Sequence, residues 1–134
     1  MSPDDSGGEI RETPYARLGG AEAVRQIVDR FYDIMDTAPE AAGIRAMHAA
    51  DLGPMRERLF EFLSGWLGGP PLYFQRPDHK CIVSAHGLFA IGAAESEAWM
   101  LCMRRAFDAQ GVPQALRDLI DPALARMAEA FRNR

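Results

Sequence analysis

The chain has 134 residues and a mass of 14.8 kDa, with 48% hydrophobic and 25% charged side chains. That is the balance of a single water-soluble globular domain, too short for two. The formal charge is −4, from 15 basic and 19 acidic side chains with Lys80 the only lysine. This excludes a general nucleic-acid binder, whose affinity rests on massed Lys and Arg. No apolar run approaches the roughly 20 residues that span a bilayer. No charged stretch followed by an apolar one opens the chain, so neither a membrane nor a secretory route is expected and the location is read as cytoplasmic.

Residues 1–13 are rich in Ser, Pro, Gly, Asp and Glu, with Ile10 the one aliphatic side chain. Such a composition buries too little surface to offset its ordering entropy, which predicts a disordered tail before a single domain over 14–134. Order begins near Tyr15 and Leu18, and Gly19-Gly20 punctuates the chain. From Ala21 to Asp36 the apolar positions are Val24, Ile27, Val28, Phe31, Tyr32 and Met35. Their three- and four-residue spacing is that of an amphipathic helix, which Pro39 ends. A shorter helix is expected over about 40–48.

Asp51 is placed to cap the next helix and Pro54 to sit in its first turn. Its apolar face reads Leu52, Met55, Leu59, Phe62, Leu63 and Trp66, with Arg56, Glu57 and Arg58 turned away. Gly68-Gly69-Pro70-Pro71 stops it. Residues 72–91 are irregular. Cys81-Ile82-Val83 and Leu88-Phe89-Ala90-Ile91 have strand propensity, but two isolated strands make a poor sheet, so a loop and a short helix around His86 are expected. A helix over about 93–109 follows, with Ala98, Trp99, Cys102, Met103, Ala106 and Phe107 on its apolar face. The last helical stretch carries Leu116, Leu119, Ile120, Leu124, Met127 and Phe131. Asp121-Pro122 either kinks it or restarts it.

The chain is therefore all-α, with four main helices and two short ones. Cys81 and Cys102 read as free, small, buried side chains. His79, Cys81 and His86 make a poor zinc set, lacking a fourth ligand and the usual spacing. His79 falls in a polar loop and His48 closes a short helix. His86 lies between Val83 and the apolar Leu88, Phe89 and Ile91. A lone histidine in such a setting is more often a satisfied core residue than a ligand, and Tyr32 and Trp99 at helical spacing are more often core. The residues alone give an α-domain in which a histidine-centred pocket is one reading.

Several runs resemble the group II truncated (2/2) haemoglobins. They are Gly19-Gly20, Phe31-Tyr32, Arg45-Ala46-Met47-His48-Ala49-Ala50-Asp51-Leu52, Phe62-Leu63-Ser64-Gly65-Trp66-Leu67-Gly68-Gly69-Pro70-Pro71-Leu72-Tyr73, His86-Gly87-Leu88-Phe89-Ala90-Ile91 and Ala98-Trp99-Met100-Leu101-Cys102-Met103. They stand in the family's order and spacing and cover nearly everything from Tyr15 to Phe131. The resemblance implies a 2-on-2 helical sandwich around haem b (iron protoporphyrin IX), with His86 as the proximal iron ligand. It places Leu59 and Phe62 against the haem, Met55 at the distal gate and Phe89 near the proximal face. Tyr32 and Trp99 become distal donors, a phenol O–H and an indole N–H aimed at a partly negative diatomic ligand. His48 falls where the family carries Tyr, His or Phe.

The chain departs from the family at Ala85, where an arginine usually precedes the proximal histidine, and at Leu88, where proline is usual. The family's Gly-His-Pro in the preceding loop reads Pro77-Asp78-His79. Propionate binding then leans on Arg58, Tyr73, His79 or Lys80. The implied ligands are O2, CO and NO. The implied uses are oxygen carriage, NO dioxygenase activity or peroxidase-like chemistry with a reductase partner, in a monomer or homodimer. The competing reading is a non-haem helical interaction module in which His86 and Trp99 are core.

Overall fold

A computed structural model describes residues 12–78, 86–87 and 89–134. Among them every regular element is helical. These are α1 (Pro14–Leu18), α2 (Ala21–Thr37), a 3-10 turn (Pro39–Ala41), α3 (Ala42–Ala46), α4 (Gly53–Trp66), α5 (Leu72–Gln75), α6 (Ala93–Ala109) and α7 (Gln114–Ala130).

The chain enters its first helix through a side-chain cap. Thr13 Oγ1 accepts from the Ala16 amide at 3.1 Å, and Pro14 occupies a position where its missing N–H costs nothing. This helix was not predicted as one. Tyr15 donates its amide to Leu67 O at 3.0 Å, tying α1 to the end of α4. That tie explains the glycine pair better than helix termination alone. Gly68 sits at φ +100°, and a Cβ on Gly69 would lie 2.6 Å from the Tyr15 ring.

The six apolar residues expected inside from α2 are all buried. They pack against α6, whose Cys102, Met103, Ala106 and Phe107 are also buried, and Leu116, Ile120 and Leu124 of α7 close the core. α4 lies against α2 and α5. The layers are thus a pair α2–α4 and a pair α6–α7, joined mainly through α2 and α6.

Of the two outcomes open at Asp121-Pro122, the helix does not restart: α7 is one helical run with Pro122 inside it, and the Asp121 carboxylate takes Arg104 at 2.8 and 3.1 Å. Two expectations need correction. Leu119, expected on the apolar face, is 53% exposed, because Leu116 and Ile120 already meet the core on either side of it. In α4 the buried set is Phe60, Leu63 and Ser64, while Met55, Leu59, Phe62 and Trp66 are only half-buried. Phe60 is covered by the Arg25 guanidinium, 4.0 Å above its ring, a cation–π contact from a distant helix. Asp51 does act at the entry of α4, accepting from the Gly53 amide at 2.9 Å. Of the loop and short helix expected around His86, residues 79–85 and 88 lie outside the described residues, as do residues 1–11 of the tail expected over 1–13. His86 itself lies in a helical turn.

Candidate functional site

The half-buried face of α4 has its explanation in a cavity of about 480 Å³. Apolar clefts of roughly 300–1,000 Å³ are where proteins hold cofactors and small ligands. Met55, Arg58, Leu59 and Phe62 line it from α4, Tyr32 from α2, His48 from the end of α3, Tyr73 from α5, His86 and Phe89 from the 86–91 segment, and Trp99 from α6. These ten candidates from the sequence thus face one space. Arg58, read from the helical pattern as turned away, is in its wall. Of the further groups named for propionate binding, His79 and Lys80 lie outside the described residues.

Tyr32 is 5% exposed. Its ring meets Phe31 edge-on at 4.9 Å and His48 at 5.9 Å between centroids. Burial drives its phenol far above the ordinary tyrosine range, and the Arg56 charge, 5.9 Å from the ring centre, offsets only part of that. The group is a neutral O–H donor, and no described residue accepts from it. Arg56 is fixed in turn by Asp29 O at 3.0 Å, Asp29 Oδ1 at 3.3 Å and Asp33 Oδ1 at 2.8 Å, a clamp between α4 and α2. Trp99 packs edge-on to Phe31 at 5.2 Å, and its indole N–H likewise has no acceptor among the described residues. A buried donor left unpaired costs about 1–3 kcal/mol, so Tyr32, with the half-buried Trp99 beside it on the cavity wall, points to an acceptor that occupies the cavity.

His48 Nδ1 lies 2.7 Å from Ile44 O. A carbonyl only accepts, so Nδ1 carries the proton. Arg45 holds the loop that follows, donating to the carbonyls of His48 (3.5 Å), Ala49 (3.0 Å) and Ala50 (3.0 Å) and to Asp36 Oδ1 at 2.8 Å.

His86 is half-buried and stacked on Phe131, centroids 4.5 Å apart and planes within 4°. The segment after it is held by the C-terminus. Asn133 Nδ2 donates to Phe89 O at 2.7 Å, its Oδ1 accepts from the Ile91 amide at 2.9 Å, and its own amide donates to Ile91 O at 2.8 Å. Nothing in the residue pattern marks Asn133, which lies beyond the last periodic residue. Phe131 was visible only as one more apolar position. Ser96, 7% exposed in the cavity wall, had no signal either.

At the cavity edge Tyr73 meets the Phe62 ring at 5.9 Å, and Arg58 is only loosely engaged, 3.9 Å from Asp78. Among the described residues no group of His, Cys, Asp and Glu is spaced to hold a metal, and no helix is long and apolar enough to cross a membrane. Cys102 is a free, buried thiol, and Cys81 lies outside the described residues.

Residues 13–133 match the family described as Bacterial-like globin. Group 2 truncated hemoglobin YjbI of Bacillus subtilis is 30% identical over 113 residues, 84% of this chain and 83% of that protein. Among solved structures, the group II 2-on-2 hemoglobin of Agrobacterium tumefaciens superposes with a TM-score of 0.87 at 40% identity, over 92% of this chain and 96% of that one. A truncated haemoglobin of Bacillus subtilis described as oxygen-avid superposes with a TM-score of 0.82 at 30% identity, over 91% and 100%.

Proposed function

The chain belongs to the bacterial-like globins, in their group II truncated haemoglobin branch, and is a haem-based gas-binding protein; from that premise we propose that it holds haem b through His86 and presents Tyr32 and Trp99 as hydrogen-bond donors to dioxygen. The carrying observation is the cavity that gathers, from three separate elements, an imidazole, the buried Tyr32 donor and the half-buried Trp99 donor, neither donor having an acceptor among the described residues.

The residues suit the group. Leu59, Phe62, Met55 and Phe89 offer apolar surface to a flat macrocycle, and Arg58 and Tyr73 offer a cation and a hydroxyl to its carboxylates. The iron, when bound, supplies the open coordination position at which a diatomic gas binds. Everything else falls to the chain. The Phe131 stack and the Asn133 staple orient His86 and the segment after it. The Tyr32 phenol, whose burial disfavours ionisation, stays a neutral O–H donor. A dry pocket strengthens both donors, because their alternative is no partner at all.

Two donors on the ligand suit retention and redox chemistry on a held oxygen better than rapid carriage. The reading therefore extends to NO dioxygenase or peroxidase-like activity with a cellular reductase, in a cytoplasmic chain that acts as one domain over 14–134. The oxygen avidity in the description of the Bacillus subtilis relative is in keeping with this. No observation favours a non-haem interaction module, which would leave the cavity and its unpaired donors unexplained.

Absorption spectra of the ferric, ferrous and oxygenated forms test the reading. A Soret band that survives in His48→Phe and is lost or displaced in His86→Ala is expected. A purified, haem-supplemented chain without one, or a normal ferrous spectrum in His86→Ala, would sink it.

A further inference from the structure

We infer that two positioning residues at the far end of the chain, Phe131 and Asn133, set the strength of the bond between His86 and iron by fixing the plane of its imidazole. The inference deepens the haem reading above and rests on it. Its consequence is that an exposed side chain outside the cavity governs the metal bond.

A histidine ring does not hold its own plane. The torsion that turns it is broad and roughly two-fold, so the ring swings through a wide arc unless a neighbour stops it. Here the neighbour is Phe131, which caps the end of α7 and lines the cavity. Its ring lies 4.5 Å from the imidazole, with the two planes within 4°. Any large turn of the imidazole drives a ring edge into the phenyl face. The plane of Phe131 is thus imposed on His86. The orientation of a ligating imidazole about its metal bond decides how closely its C–H edges approach a macrocycle, and so how short that bond can become. Partners that orient a metal ligand are for this reason part of the metal site.

A stack restrains the ring only if the backbone that carries it is equally fixed. The Phe89 amide donates to His86 O at 3.1 Å, which closes the turn after the histidine. Asn133 holds the same residue from the other side, its Nδ2 donating to Phe89 O at 2.7 Å. Its Oδ1 accepts from the Ile91 amide at 2.9 Å. The amides of Asn133 and Arg134 both donate to Ile91 O, at 2.8 and 3.1 Å. One short stretch, 131–134, therefore grips both the face of the ring and the backbone beneath it. Asn133 itself is exposed and is not in the cavity wall, so its effect on iron passes through His86.

This control differs in kind from that of Tyr32 and Trp99. Those donors answer to the charge on a bound gas and so separate dioxygen from carbon monoxide. Phe131 and Asn133 act on the imidazole before any gas arrives, and change the affinity for both gases by a common factor.

Proton NMR of the haem-free protein reads the stack without the metal. The His86 ring protons are expected upfield of their ordinary positions, from the ring current of Phe131. The shift should vanish in Phe131→Leu, persist in Phe131→Tyr and shrink in Asn133→Ala. Ordinary positions in the wild type overturn the inference without touching the haem reading. Resonance Raman of the ferrous protein reads the iron–imidazole stretch. That band is expected to move or broaden in Phe131→Leu and in Asn133→Ala, and to return to its wild-type position in Phe131→Tyr. The ratio of oxygen to carbon monoxide affinity is expected to keep its wild-type value in all three variants. A band unchanged in Asn133→Ala, a band altered as much by Tyr as by Leu at 131, or a changed gas ratio overturns the inference. If Phe131→Leu does not fold, Asn133→Ala decides alone. A wild-type chain with no Soret band fails the haem reading instead.

Discussion

At the scale of single residues the site is defined by two hydrogen-bond donors, Tyr32 and Trp99, that have no acceptor among the described residues. Tyr32 and Trp99 share one neighbour, Phe31, which touches both rings and sets their separation. Each is expected to contribute to oxygen retention through a charge-assisted bond, the stronger class. Trp99→Phe keeps the ring packing and removes the donor. A loss of about 1.4 kcal/mol on the bound state raises the oxygen dissociation rate roughly tenfold. Tyr32→Phe is expected to act in the same direction, with carbon monoxide responding less in both because its outer atom carries less charge. Unchanged oxygen release in the two single variants and the double variant would reduce both residues to packing. Asn133 offers a second residue-scale test. Its amide makes two side-chain hydrogen bonds to the backbone that follows His86. Asn133→Ala is expected to speed haem transfer to an apo-globin scavenger several-fold while leaving the helix content intact, and an unchanged transfer rate would remove Asn133 from the account.

Between elements, the ties are close approaches as much as apolar stripes. The meeting of α1 with the end of α4 depends on Gly69 lying under the Tyr15 ring, where a Cβ would come within 2.6 Å of ring carbons. Gly69→Ala must displace that ring, an overpacking cost of about 1–3 kcal/mol. A lower urea midpoint is expected, and the loss should shrink in a Tyr15→Leu background, where the side chain can yield. Equal losses in both backgrounds would show that the ring is not the obstacle. The same contrast explains what the sequence made legible. The bounds of α2 and α6 were readable nearly to the residue because glycine or proline breaks flank each, and α2 carries a clean stripe; in α6 the stripe missed Met100, which is buried, and included Ala98 and Trp99, which are half-buried. Phe60 was not, since it is off the stripe of α4 and is buried by an arginine 35 positions earlier. Leu119 misled because periodicity marks a face broader than the one the neighbours cover. α1 is a single turn made by Thr13 and Pro14, too short for any period to show. The site was legible as a set of runs resembling a family, and every candidate from those runs faces the cavity. From residue chemistry alone His86 was indistinguishable from a core histidine, because its stack on Phe131 and the Asn133 staple come from the far end of the chain.

For the molecule as a whole, part of the core does not depend on the cavity. Val24, Val28, Met103 and Leu124 are fully buried where α2, α6 and α7 meet, and none of them lines the cavity. A ligand that binds only the folded state adds about 4.1 kcal/mol when present at a thousand times its dissociation constant. Haem removal is therefore expected to lower the urea midpoint without abolishing the transition. The haem-free protein exposes a second property of the fold, carried by Tyr32. Burial raises the folded-state pKa of its phenol, whereas the unfolded phenol ionises near about 10. The unfolded chain thus loses a proton that the folded chain keeps. The stabilising difference is complete below about pH 10 and declines as pH rises past it, by up to about 1.4 kcal/mol per pH unit for one fully desolvated group. Burial pushes the Cys102 thiol up as well, so its contribution has the same sign and begins at lower pH. Urea titrations of the haem-free protein between pH 8 and 11 separate the two. In wild type the midpoint should fall gently first and then steeply above about pH 10, and in Tyr32→Phe the steep part should be missing. A fall above pH 10 that is as steep in Tyr32→Phe as in wild type would mean that water reaches the phenol once the haem is gone. The donor geometry at Tyr32 would then be a property of the loaded cavity and not of the chain's own packing.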